Sequence, residues 1–108
     1  MPIAELDVDA LARLLGAAAR VALLDVRSES ERIDGTFDGD ISIPLDELAA
    51  RVDELAESVS RDAHVIAYCA HGIRSRAAVA ILQSAGFSRV ESLRGGFAAW
   101  QSRRRDTL

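Results

Sequence analysis

The 108-residue sequence predicts an α/β fold: a three-layer α/β/α domain built on a five-stranded parallel sheet. Three observations predict it. Strand-like apolar runs alternate with helix-periodic segments as β-α-β-α-β-α-β-α-β-α, an order that implies a parallel sheet covered on both faces. Residues 21–26 and 65–68 are close to continuously apolar, as strands buried on both faces are. The length suits one domain able to bury roughly two-thirds of its unfolded surface.

The elements follow in order. Residues 1–4 are read as a short edge strand with Ile3 as its apolar residue. Asp7 is a suitable N-cap for a helix carrying Val8, Leu11, Leu14, Leu15 and Ala18 on one face, with Gly16 placed to end it. The second strand covers 21–26. Ser28 opens a short helix, and Glu31 three residues on completes a capping box. Gly35 and Gly39 bracket a turn-rich loop, and Ile41-Ser42-Ile43 is a short strand stopped by Pro44. Leu45, Leu48, Val52, Leu55 and Val59 mark one or two amphipathic helical pieces. After the strand at 65–68, a helix runs from Ser75 to about Ala85, with Gly86 as its C-cap glycine. Residues 90–93 form the last strand, and Gly95-Gly96 turns the chain into a closing helix with Phe97 and Trp100. The domain is expected to span residues 1–103, with 104–108 as a flexible polar tail.

Composition narrows the function. A net charge of −4 gives no global basic field, so nucleic acid is not an expected partner. One cysteine allows neither an internal disulfide nor an all-cysteine metal site, and His64 and His71 are too far apart in sequence to form a local metal pair. No cofactor or metal is expected. The N-terminus lacks a basic segment followed by an apolar run, and no run approaches the ~20 residues of a membrane helix. A lone free thiol suits a reducing compartment, so the expected location is cytoplasmic, away from any membrane, and the expected state is a monomer.

The chemistry concentrates where strand 65–68 runs into Cys69, followed by Ala70-His71-Gly72-Ile73-Arg74-Ser75 and an alanine-rich helix. A cysteine is often only a small buried hydrophobe. At a strand end facing a helix N-terminus, however, it meets unpaired N–H groups and a positive dipole end, which favour the thiolate. In such sheets ligands bind beyond the carboxyl ends of the strands. Four residues separate Cys69 from Arg74, one fewer than a cysteine-phosphatase cradle requires. The shorter loop suits a smaller anion carried on the cysteine itself, such as a persulfide.

Cys69-Ala70-His71-Gly72-Ile73-Arg74-Ser75 resembles the Cys-x-x-Gly-x-Arg loop, with its following serine, of the rhodanese-like sulfurtransferases. Leu24-Asp25-Val26-Arg27 resembles the family's Asp-x-Arg strand end, and Glu31 falls where the family often has glutamate. Ile41-Ser42-Ile43-Pro44-Leu45 is similar to its Ile-Asn-Ile-Pro segment, and Leu93-Arg94-Gly95-Gly96-Phe97-Ala98-Ala99-Trp100 to its Leu-x-Gly-Gly-x-x-x-Trp close. The chain departs from the family at Gly35-Thr36-Phe37-Asp38-Gly39-Asp40, which keeps two glycines but not the usual histidine and proline, and that puts the rigidity of this loop in question.

The resemblance implies sheet order 3-2-4-5-1 and a double displacement. Cys69 takes sulfane sulfur from a small donor, thiosulfate or a persulfide, and passes it to an external thiol, cyanide or a carrier protein. The loop Ala70, His71, Gly72, Ile73, Arg74 and Ser75 is the implied substrate-binding element, its N–H groups holding the persulfide anion. Arg74 has two open readings, contact with an anionic donor or a brace paired with an acid. Ser75 is most simply the helix N-cap, with a hydroxyl directed to the persulfide as the second reading. His71 is read first as an exposed loop residue, with tuning of the loop's charge near neutral pH as the alternative. Asp25 and Arg27 are read first as a structural ion pair or loop anchor, with reach into the site as the alternative. Gly95, Gly96 and Trp100 are read as structural. The 103–105 arginine run is read as a solvated helix end. Without a second thiol the chain cannot release its sulfur by forming an internal disulfide. The alternatives are a non-catalytic or redox-sensing interaction module and, against the loop length, a phosphatase or arsenate reductase.

Overall fold

A computed structural model describes residues 3–106. Its elements are β1 (Glu5–Leu6), α1 (Val8–Gly16), β2 (Ala22–Asp25), a 3₁₀ turn (Glu29–Asp34), β3 (Ile41–Ser42), α2 (Leu45–Ser58), β4 (His64–Tyr68), α3 (Arg74–Ser84), β5 (Arg89–Leu93) and α4 (Gly96–Asp106). The five strands form one parallel sheet in the order β1-β5-β4-β2-β3, the expected order read from the other edge.

Period-two alternation along central β4 divides the core. Val65, Ala67 and Cys69 face a cluster with Leu48 and Leu55 of α2 and Ala78, Val79 and Leu82 of α3. Ile66 and Tyr68 face the other side, with Leu11 of α1, Phe37, and Phe97 of α4. Cys69 therefore leaves the sheet on the α3 side, one residue beyond β4 and 1% exposed.

Most boundaries follow local chemistry. Asp7 Oδ1 accepts from Ala10 N–H at 2.8 Å and caps α1. Pro44 ends β3 and leads into α2, which is one continuous 14-residue helix burying Leu48 and Leu55. Gly86, at φ +94°, follows the C-terminus of α3.

Three expectations need correction. The edge strand is Glu5–Leu6, because Leu6 enters the core; before it, Ile3 packs against the α3-side cluster and the Ala4 carbonyl accepts from Ser92 N–H at 2.9 Å, while 1 and 2 lie outside the described residues. Helix α3 starts at Arg74 with Ile73 in the cap position, so Ser75 is an inward-facing helical residue rather than the N-cap. Helix α4 continues through Asp106, so 104–106 are helical; 107 and 108 lie outside the described residues. Arginines in that last turn complement the dipole, and Arg103 is held by Asp9 of α1 at 2.8 Å.

Candidate active site

The cysteine loop is built by backbone. The Cys69 carbonyl accepts from Phe97 N–H at 2.8 Å and the Ala70 carbonyl from Ala98 N–H at 3.0 Å, so the first turn of α4 takes up the loop's carbonyls. Loop N–H groups are then free to turn inward. Gly72 N–H lies 3.2 Å and Ser75 N–H 3.4 Å from Sγ, and the Ser75 hydroxyl is 3.5 Å away. The approach of α4 depends on glycine. A Cβ on Gly96, at φ +64°, would sit 2.5 Å from the Cys69 carbonyl oxygen, and one on Gly72, at φ +89°, would sit 2.9 Å from Gly95 N.

These contacts set the electrostatics of the thiol. Burial pushes its pKa up, but the Ser75 hydroxyl and the N–H groups of Ser75, Gly72 and His71 outweigh burial, and the net direction is down. The arrangement stabilises negative charge on sulfur.

The other sequence-predicted residues fall into distinct roles. His71 is exposed, Ile73 is 78% exposed, and Ala70 is partly buried. Arg74 forms a two-pronged pair with Glu31, at 2.7 and 2.8 Å, so its guanidinium is engaged as a brace between α3 and the 3₁₀ turn. Glu31 also accepts the Ser28 N–H at 3.0 Å; the Arg74 hydrogen bonds lower its pKa to about 2. Beside Arg74 opens a cavity of about 360 Å³ lined by Val26, Ser28, Pro44, Leu45 and Asp46. A larger one, about 420 Å³, runs between α2 and α3 and contains no residue of the cysteine loop. Only the smaller cavity adjoins the loop's chemistry.

Asp25 and Arg27, 0% and 2% exposed, pair side to side at 2.9 and 3.0 Å, as a structural ion pair should. Arg27 also donates to the Gly35 carbonyl at 2.7 Å. Arg32 bridges Asp25 at 2.8 Å and Asp40 at 2.9 Å, and the Tyr68 hydroxyl donates to Asp40. Burial and that bond push the Tyr68 pKa up, while Arg32 holds Asp40 low against its burial. Phe37 meets Tyr68 and Phe97 edge-on at centroid distances of 4.9 and 5.4 Å. The departing segment 35–40 is therefore held by a side-chain network.

Two contributors escaped the sequence reading. Asp40 gave no signal, because its partners come from β4 and the 3₁₀ turn. Ser92 of β5, fully buried, meets the Ser75 hydroxyl at 2.7 Å; a lone serine in a strand carries no mark of such a contact.

The sequence profile of the Rhodanese-like domain matches residues 7–103. The chain belongs to the rhodanese-like domain family. A sulfurtransferase of Allochromatium vinosum is 33% identical over 89% of this chain and 86% of its own length. Thiosulfate sulfurtransferase GlpE of Coxiella burnetii is 32% identical over 76% and 73%. A rhodanese-related protein of Thermoplasma volcanium has the same fold, with a TM-score of 0.76 and 31% identity over 93% of this chain and 92% of its own. In the tRNA uridine(34) hydroxylase of Xanthomonas oryzae, also similar, the chain spans 32% of the length. This rhodanese-like chain is a sulfurtransferase in its general class.

Proposed function

We propose that Cys69 is the nucleophile of a rhodanese-type sulfur transfer and carries sulfane sulfur as a persulfide. The observation that carries this reading is the pair of N–H groups, from Gly72 and Ser75, directed at Sγ at 3.2 and 3.4 Å. In the first displacement the Cys69 thiolate attacks the outer sulfur of the donor. The donor's S–S bond breaks, Cys69–S–S⁻ forms, and the remainder leaves with the electron pair, as sulfite from thiosulfate or as a thiolate from a persulfide. In the second, an external thiolate, cyanide or a carrier-protein thiol attacks the outer sulfur, and Cys69 leaves as thiolate. The charge on the outer sulfur falls within the loop's N–H cradle, which meets it with fixed dipoles.

Support for an external acceptor comes from the sequence, which offers no second thiol within these 108 residues to resolve the persulfide. The exposed Ile73 side chain, within the cysteine loop, gives a macromolecular acceptor an apolar contact. Thiosulfate as donor is the activity named for the Coxiella relative. The domain as a monomer in the cytoplasm remains part of the proposal; no described helix is long and apolar enough to cross a membrane.

Intact-mass measurement after incubation with thiosulfate, and separately with a low-molecular-weight persulfide, tests the reading. The expected product is one added sulfur atom on Cys69, removed by cyanide as thiocyanate and absent from Cys69→Ser. No adduct with either donor would overturn it. Cys69-dependent turnover of an aryl phosphate would favour the phosphatase alternative.

A further inference from the structure

We propose that Ser92 is a positioning residue for Cys69, acting through Ser75: it donates to the Ser75 hydroxyl and thereby commits the Ser75 proton to the cysteine sulfur. Both serines are fully buried, their oxygens are 2.7 Å apart, and the Ser75 oxygen lies 3.5 Å from Sγ. The contact is a product of sheet register. Ser92 pairs with Ala67, two residues before Cys69, so Ser92, Ala67 and Cys69 share the face covered by α3, where Ser75 sits one residue into the helix.

A hydroxyl has one proton to give. Ser75 has two acceptors within reach, Sγ and the Ser92 oxygen. When Cys69 is a neutral thiol, its S–H donates to Ser75 and Ser75 donates to Ser92. When the thiol ionises, its proton passes to solvent, and the two hydroxyls turn so that Ser92 donates to Ser75 and Ser75 to the thiolate. No proton leaves the serine pair. A hydroxyl that accepts a hydrogen bond is also polarised into a stronger donor. Ser92 thus stabilises the thiolate both as nucleophile in the first displacement and as leaving group in the second.

This role rests on Cys69 as the sulfur-carrying nucleophile, but its test needs no sulfur donor. The thiolate absorbs in the ultraviolet, the chain has one cysteine, and its one tyrosine, Tyr68, is pushed up out of the way by burial. Absorbance titration of the full chain against a Cys69→Ser baseline therefore reads Cys69 alone. Ser92→Ala is expected to raise the midpoint by roughly 0.3–0.6 pH unit, a two- to fourfold loss of thiolate below it, from polarisation of one charge-assisted hydrogen bond. Ser75→Ala should raise it further, and Ser92→Ala should add nothing in the Ser75→Ala background, because the effect runs through Ser75. Ser92→Thr, which keeps the hydroxyl, should restore the midpoint.

Titratable and charged groups around the loop are unchanged in these variants: His71 of the loop itself, Arg74 with Glu31, the Asp25–Arg27 pair at the end of β2, and Arg76 and Arg94 on Glu5. Ser92→Ala deletes one oxygen, and the Ser92 N–H stays bonded to the Ala4 carbonyl, so the variant keeps the sheet. No upward shift in folded Ser92→Ala, or an equal shift with and without Ser75, would overturn the proposal. Midpoints that shift as expected while no sulfur adduct forms would instead overturn the sulfur-transfer reading and leave only the Ser92–Ser75 support of the Cys69 thiolate standing.

Discussion

Two loops close the same end of the sheet, and they are held in opposite ways. The cysteine loop is fixed by main chain: its carbonyls go to Phe97 and Ala98, its N–H groups to Sγ, and glycines at 72 and 96 let the backbones meet. Segment 35–40 is fixed by side chains: Asp25, Arg27, Arg32, Asp40 and Tyr68 tie it to β2 and β4, and Phe37 wedges it into the aromatic cluster. The difference is chemical. A cradle for an anion must offer donors without filling its centre with charge, and backbone N–H groups do that with no side-chain counterion. A loop that serves only as a wall can be anchored by buried ions, provided each charge has a partner.

The largest effect is expected where the wall is broken. Asp25→Ala leaves Arg27 buried and removes one of the two carboxylates held by Arg32. Losing one member of a buried pair costs about 3–5 kcal/mol, so denaturant unfolding should show a large loss. Asp25→Ala with Arg27→Met, which removes the stranded charge, should recover part of it. A cost under about 1 kcal/mol for Asp25→Ala, the level of an exposed pair, would mean that the network is no anchor.

The next effect falls on the cradle. Gly96→Ala places a methyl 2.5 Å from the Cys69 carbonyl oxygen at φ +64°. Strain and overpacking together predict a loss of about 2–4 kcal/mol. Unlike the Asp25 variant, this one should also raise the Cys69 midpoint in the ultraviolet titration, because α4 no longer holds the loop carbonyls outward. A stable variant with an unmoved midpoint would separate α4 from the cradle.

What could be read in the sequence follows the same division. The cradle was legible because its determinants are local: the cysteine, the loop glycine and the spacing to Arg74 are adjacent in the chain. The sheet was legible because strand–helix alternation admits few topologies. The wall was not. Asp40 meets Tyr68 twenty-eight positions on and Arg32 eight positions back, and neither separation is periodic. Ser92 was invisible for the same reason, since a cross-strand register alone brings it over Ser75. The expectation of Ser75 as N-cap failed for a subtler cause: helix geometry began at Arg74, which turned the serine hydroxyl inward to the sulfur.

The smallest effect lies where Arg74 of the cradle's helix meets Glu31, in the 3₁₀ turn just before segment 35–40. The folded Glu31 pKa is about 2 against 4.5, so this pair's stabilisation is fully present above about pH 4.5 and is lost as pH falls toward about 2. With both partners partly exposed, the pair is worth about 1 kcal/mol or less. Glu31→Gln should therefore cost little at neutral pH and flatten the acid limb of the stability profile between those two values. Its sharper consequence is at the site. Arg74 loses its carboxylate partner beside the cavity that contains Ser28 and Asp46, and an unpaired guanidinium attracts a dianion more than a monoanion. Persulfide formation from thiosulfate should become severalfold more efficient through a lower KM, with a smaller change for a singly charged persulfide donor. Equal changes for both donors would mean that Glu31 acts on the geometry of the cradle rather than on the charge of Arg74.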